Sequence, residues 1–187
     1  MSLTDRAPLV VGIDPSLTAT GIAISTGSCF KVGYTGITVM PVSERIRAVD
    51  ELVFAIIGTL PSADLYVIER PTKSKFSAGV LERGALWWLL VRELIGSQTA
   101  RLAVVMPANR MTYATGKGLA TKGAVVDAVA RRLPQFETKG DDNCADAAIF
   151  CAMGMDHLGH PLAAFPATHR KALNAVDWPA CPPWDEP

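Results

Sequence analysis

Apolar residues cluster or alternate in five short stretches, at about 9–14, 20–26, 29–39, 65–69 and 102–106, each bounded by Gly, Pro, Ser or Asp. Such stretches predict strands. Over about 43–60, 78–96, 119–133 and 143–157 the apolar positions recur at three- and four-residue spacing, which predicts helices. The first three strands are joined by short turns, Ser16 to Ala19 and Thr26-Gly27-Ser28, so they form an antiparallel meander. The last two alternate with helices and pair in parallel. The expected fold is therefore α/β, a mixed five-stranded sheet flanked by helices. No internal repeat interrupts this pattern. Residues 1–160 make one domain, and 161–187, which hold six of the thirteen prolines, predict a tail and not a second domain. Trp178 and Trp184 in that tail dock either on the body or on a partner.

Composition narrows the class. A chain of 187 residues, 49% hydrophobic and 19% charged, can bury one sizeable core. Its longest apolar run, Gly84 to Val91, is closed by Arg83 and Arg92 and falls well short of the roughly 20 residues of a membrane span. The segment Met1 to Pro8 has no apolar signal core, so a cytoplasmic protein is expected. Cys29, Cys144, Cys151 and Cys181 form no C-x-x-C pair and fit a reducing compartment. The net charge is zero, yet between Arg70 and Lys139 twelve Lys or Arg stand against four acids, a local balance of +8. A basic middle suits a phosphate backbone, although a plain solvated face has the same composition.

Three acids change that balance. Asp14 ends the first strand in Val10-Gly-Ile-Asp-Pro-Ser16, Glu69 ends the fourth in Leu65-Tyr-Val-Ile-Glu69, and Asp141-Asp-Asn-Cys-Ala-Asp146 opens the last helix. Strand ends hold side chains rigidly, and an unpaired buried carboxylate is costly, so acids so placed suggest a shared cation. Oxygen ligands without His or Cys suit Mg2+, which retains several waters. Asp142 and Asp146 are spaced i, i+4, and Asn143 and Asp146 i, i+3, so either pair shares a helix face. One of Asp141 and Asp142 is expected to cap the helix.

These segments, together with Met106-Pro-Ala-Asn-Arg-Met-Thr-Tyr-Ala-Thr-Gly-Lys-Gly-Leu-Ala-Thr-Lys122, resemble the RuvC family of Holliday junction resolvases in order and spacing over roughly residues 9–157. The likeness is greater to phage-encoded members than to the cellular enzyme. The resemblance implies an RNase H-like fold, a homodimer built through the helix at about 78–96, two Mg2+ or Mn2+ ions per site, and paired nicking of four-way DNA junctions in a bacterial or infected host cytoplasm. It assigns Asp14, Glu69 and Asp146 as metal ligands. The family has Asp or His three residues before its last Asp, where this chain has Asn143, so Asn143 ligates through its carbonyl or Asp142 substitutes.

By the same resemblance Arg110, Lys117 and Lys122 contact DNA phosphates, which positions DNA without reading its sequence. Gly116-Lys117-Gly118 is not a nucleotide-binding loop, because that motif needs Gly at 111 and Ser or Thr at 118, where this chain has Met111 and Gly118. Arg70 to Ser77 is a basic loop with Lys73, Lys75 and one aromatic, Phe76. Cellular relatives wedge an aromatic into the junction near this point. Phe76 either takes that role or packs on a helix. The helix at 78–96 carries more apolar residues than one core-facing stripe needs, through a partner contact or through deeper burial. His157, His160 and His169 fall at a helix end and are assigned no chemistry. The function expected is a metal-dependent, structure-specific DNA endonuclease. The alternatives are a nuclease on RNA–DNA hybrids or forks, and a junction-binding protein with a degenerate site.

Overall fold

The computed structural model describes residues 6–71, 78–96 and 101–180. Its sheet is built from β1 (Val10–Asp14), β2 (Thr20–Ile24), β3 (Cys29–Val32), β4 (Leu65–Glu69) and β5 (Leu102–Val105), in the order β3-β2-β1-β4-β5. β1, β2 and β3 pair antiparallel, and β4 and β5 join β1 in parallel. The expected architecture is therefore the observed one. The helices are α1 (Val42–Thr59), α2 (Val80–Gly96), α3 (Pro107–Thr115), α4 (Lys122–Arg132), α5 (Asp142–His157) and α6 (Ala167–Arg170).

Strand alternation divides the core into two layers. Val11, Ile13, Ile22, Tyr66 and Ile68 face α1 and α2, and Val10, Leu65, Val67, Ala103 and Val105 face α3, α4 and α5. Asp14 has the parity of Val10, and Glu69 that of Leu65 and Val67, so both acids fall on the α5 side. The pairing of Ile13 with Ile68 makes Asp14 and Glu69 neighbours at the ends of adjacent parallel strands.

α5 is buried almost throughout, and two glycines allow it to lie directly on the sheet. A Cβ at Gly12 would stand 2.1 Å from the Ala147 carbonyl oxygen, and one at Gly21 2.1 Å from that of Asn143. Backbone against backbone at these two points fixes both the height and the rotation of α5 above β1.

Several boundaries differ from the sequence expectation. The third strand stops at Val32 and not at 39, because Gly33 abuts the Thr18 carbonyl and Gly36 is left-handed (φ 84°), and a 3-10 turn follows at Ile37–Val39. α2 starts at Val80, after left-handed Gly79. α4 starts at Lys122 because Thr121 accepts from the Ala124 N–H and caps it. α3 is not among the expected helices. Beyond Pro161, Phe165, Ala172 and Val176 enter the core, and the Trp178 indole stacks on His157 at 4.2 Å while donating to the Leu173 carbonyl. Among the described residues no helix is long and apolar enough to cross a membrane.

Candidate active site

Asp14 is held by the turn that follows it. The Thr20 hydroxyl donates to the Ser16 carbonyl (2.6 Å) and accepts from the Ser16 N–H (3.0 Å), which clamps the chain where β1 ends. Glu69 is held from both sides. Its carbonyl accepts the Trp87 indole N–H of α2 (2.8 Å), and the next residue, Arg70, donates its N–H to the Val105 carbonyl (2.8 Å). Asp146 stands one turn into α5, whose start is fixed by Asp141, the capping acid, through the Cys144 N–H (3.0 Å) and an ion pair to Lys31 of β3.

The three acids converge, and Arg110 of α3 lies among them. Its Nη1 pairs with Asp146 and stands 3.4 Å from Glu69 Oε1. The Arg110 side chain is only 11% exposed, with its guanidinium 5.7 Å from the centre of the Phe150 ring. Among the described residues, two buried side-chain atoms are left without a hydrogen bond: Glu69 Oε1 and Arg110 Nε.

The electrostatics follow from burial. Asp14 is held well above the usual carboxylate range by loss of water, then by the charges of Glu69 and Asp146, with Arg110 opposing. Burial likewise raises Asp146 to about 6 against the pull of Arg110, and raises Glu69. Asp142 differs, being half-exposed and ion-paired to Lys122, which holds its carboxyl low. Lys122 is near enough to favour the charged forms of Glu69 and Asp146 as well. Lys117 lies apart from the acids, exposed, and lines a groove with Arg131, Arg132 and His169 between the end of α3 and α4. Lys73, Lys75 and Phe76 lie outside the described residues.

The structure thus brings Asp14, Glu69, Asp146 and Arg110 together, with Asp142 and Lys122 at the rim. Asn143 lies next to the rim on α5, its backbone carbonyl against Gly21. Among the described residues no three acid, His or Cys side chains are gathered as a metal-ligating set in this arrangement. The guanidinium uses the oxygens a cation would need. The donors still fit a hard divalent cation: all are carboxylates, and Glu69 Oε1 is buried with a free acceptor position.

No family model matches the chain, and no curated protein matches it in sequence. Solved structures do match. RuvC of T. thermophilus in complex with Holliday junction substrate superposes with a TM-score of 0.59 at 16% identity, over 85% of this chain and 99% of that one. The Thermus thermophilus RuvC structure gives 0.58 at 17%, over 84% and 99%. The fold is that of RuvC. RuvC-like topology accounts for the mixed sheet and for the ends of β1 and β4 facing the last long helix.

The place of Arg110 departs from the sequence expectation, which puts it beside the site as a phosphate contact; it lies within the site. The brace behind α3 is likewise unforeseen. The Tyr113 hydroxyl donates to Asp156 (3.0 Å), Arg170 donates to both oxygens of the same carboxylate (2.9 and 2.7 Å), and His169 Nδ1 meets the Tyr113 carbonyl (3.0 Å). The signal for α3 itself is Pro107 at the first helical position and Gly116 just past the last, a start and stop around nine residues.

Proposed function

We propose that the chain is a divalent-metal-dependent endonuclease acting on branched DNA, four-way junctions foremost, as a homodimer. The observation that carries this reading is the convergence of Asp14, Glu69 and Asp146 from three distant segments onto one face of a RuvC-like sheet. Asp14, Glu69 and Asp146, with Asp142 or Asn143 as the fourth position, would hold Mg2+ or Mn2+. Bound ions would supply an activated water and absorb charge on the phosphate oxygens. The chain's own contribution is to fix the acids at strand and helix ends. Lys122 at the rim, and Lys117 farther along the same loop, would take neighbouring phosphates as point charges.

A dimer is supported by α2. Leu81, Ala85, Trp88 and Ile95 lie exposed at spacings of four, three and seven, an apolar seam along the outer face, with Leu81 at 80%, Trp88 at 67% and Ile95 at 61% exposure. Such a stripe suits a second helix of the same kind. Two copies joined there would offer two sites to one branched substrate.

The test is cleavage of a labelled four-way junction beside linear duplex, fork and RNA–DNA hybrid, with Mg2+, Mn2+ or EDTA. Metal-dependent paired nicks in the junction are expected, with Asp14→Asn and Asp146→Asn binding the junction but not cutting it. Preference for the hybrid or fork would change the substrate and keep the site. Normal cutting by either variant would remove the site assignment.

A further inference from the structure

We infer that Arg110 is a built-in counter-cation, which occupies the carboxylate site until a divalent ion displaces it; this rests on the metal-site reading above. The ion pairing at Arg110 is mismatched. A guanidinium kept only for structure presents its two-nitrogen edge to a carboxylate and satisfies its donors. Arg110 instead reaches two acids: its Nη1 pairs with Asp146 and stands 3.4 Å from Glu69 Oε1. Its Nε is buried without a hydrogen bond, and so is Glu69 Oε1. One buried positive charge therefore faces the carboxylates of Glu69 and Asp146, with Asp14 next to Glu69 at the adjacent strand end.

The arrangement is strong enough to hold the acids together and weak enough to be exchanged. Without any cation the three carboxylates repel in a poorly hydrated setting. A dication would bring twice the charge, and Glu69 Oε1, which the guanidinium leaves without a hydrogen bond, would be one of the oxygens to hold it. The two cations exclude each other because both need the same oxygens of Asp146 and Glu69. Once displaced, the long Arg110 side chain stays tethered to α3 at the site's edge beside Lys122, where a phosphate can take it as a new partner. Ion loading and phosphate binding would then share one residue, each favouring the arginine's outward position.

Metal binding without DNA tests this directly, by counting free Mn2+ from its solution EPR signal and by thermal melts with and without Mn2+. Arg110→Gln is expected to bind Mn2+ more tightly than the native chain, on the order of tenfold, and Arg110→Lys to fall between. The metal-free Arg110→Gln protein is expected to melt below the native chain and to gain more from saturating Mn2+. If folded Arg110→Gln and Arg110→Lys bind Mn2+ no more tightly than the native chain, while Asp146→Asn abolishes binding, the counter-cation role is wrong and the metal site stands. If the native chain and both variants bind no Mn2+, the metal site itself is wrong and the counter-cation role goes with it.

Discussion

At the scale of single residues, Asp146 ties the site to pH. Its carboxyl is raised to about 6 in the folded chain, chiefly by burial, so the folded state binds this proton more tightly than the unfolded one does. The stability from that proton is fully present below the ordinary carboxylate range and is lost as pH rises through about 6. Metal-free native protein should show this loss between the ordinary carboxylate range and about 6, and Asp146→Asn should show less of it, Asp14 and Glu69 being raised as well, as equilibrium unfolding at stepped pH would reveal. A cation must also expel the proton. Its apparent affinity should rise with pH through about 6, with proton release seen by calorimetry in buffers of different ionisation heat. A flat affinity profile would count against Asp146 as a ligand. Asp14, Glu69 and Asp146 are legible in the sequence because an acid that ends an apolar strand or opens an apolar helix loses water on folding, a cost that a shared cation offsets. Arg110 is not legible in this role, since nothing in a sequence tells a cation aimed at solvent from one folded inward.

At the scale of elements, the register between α5 and the sheet decides whether the acids meet. Gly12→Ala forces a methyl into the Ala147 carbonyl and the Cys151 N–H, so α5 must lift. The expected cost is roughly 3 kcal/mol or more, with loss of Mn2+ binding even where the variant still folds; denaturant melts and EPR would report each. α3 depends on the brace behind it. Arg170→Ala should destabilise more than Asp156→Asn, because it leaves a fully buried carboxylate unpaired, whereas Asp156→Asn leaves an arginine that water can reach. The reverse order in thermal melts would show the brace to be mere surface pairing. The long helices and the strands are readable from period alone, because each has one face to bury. α3 is hidden because its nine residues are half polar and its apolar contacts, such as Tyr113 on Phe165 at 4.2 Å, come from a much later segment that reads as a tail.

At the scale of the whole molecule, α2 connects two surfaces. Trp88 lies on the outer seam, its ring edge-on to Trp87 at 4.9 Å, and Trp87 holds the Glu69 carbonyl. A partner seated on the seam would thus press on the element that positions one of the acids. On the dimer proposed above, Trp88→Glu should give a monomer by sedimentation while leaving Mn2+ binding intact, and the paired nicks expected of the dimer should become single ones. A variant that remains dimeric would exclude this face. The seam's residues are plain in the sequence; their exposure is not, because the period that marks a helix also marks whatever it packs against.

The backbone contact of α5 with β1 bears on how the chain is made. A ribosome delivers Asp14 first, Glu69 midway and Asp146 late, and until the last long helix emerges β1 and β2 lack their main cover on that face of the sheet. Early fragments therefore expose strand faces to chaperones and proteases, and folding waits for α5. Because the same helix completes the core and carries Asp146, a nascent chain too short to fold is also a chain whose three acids have not met.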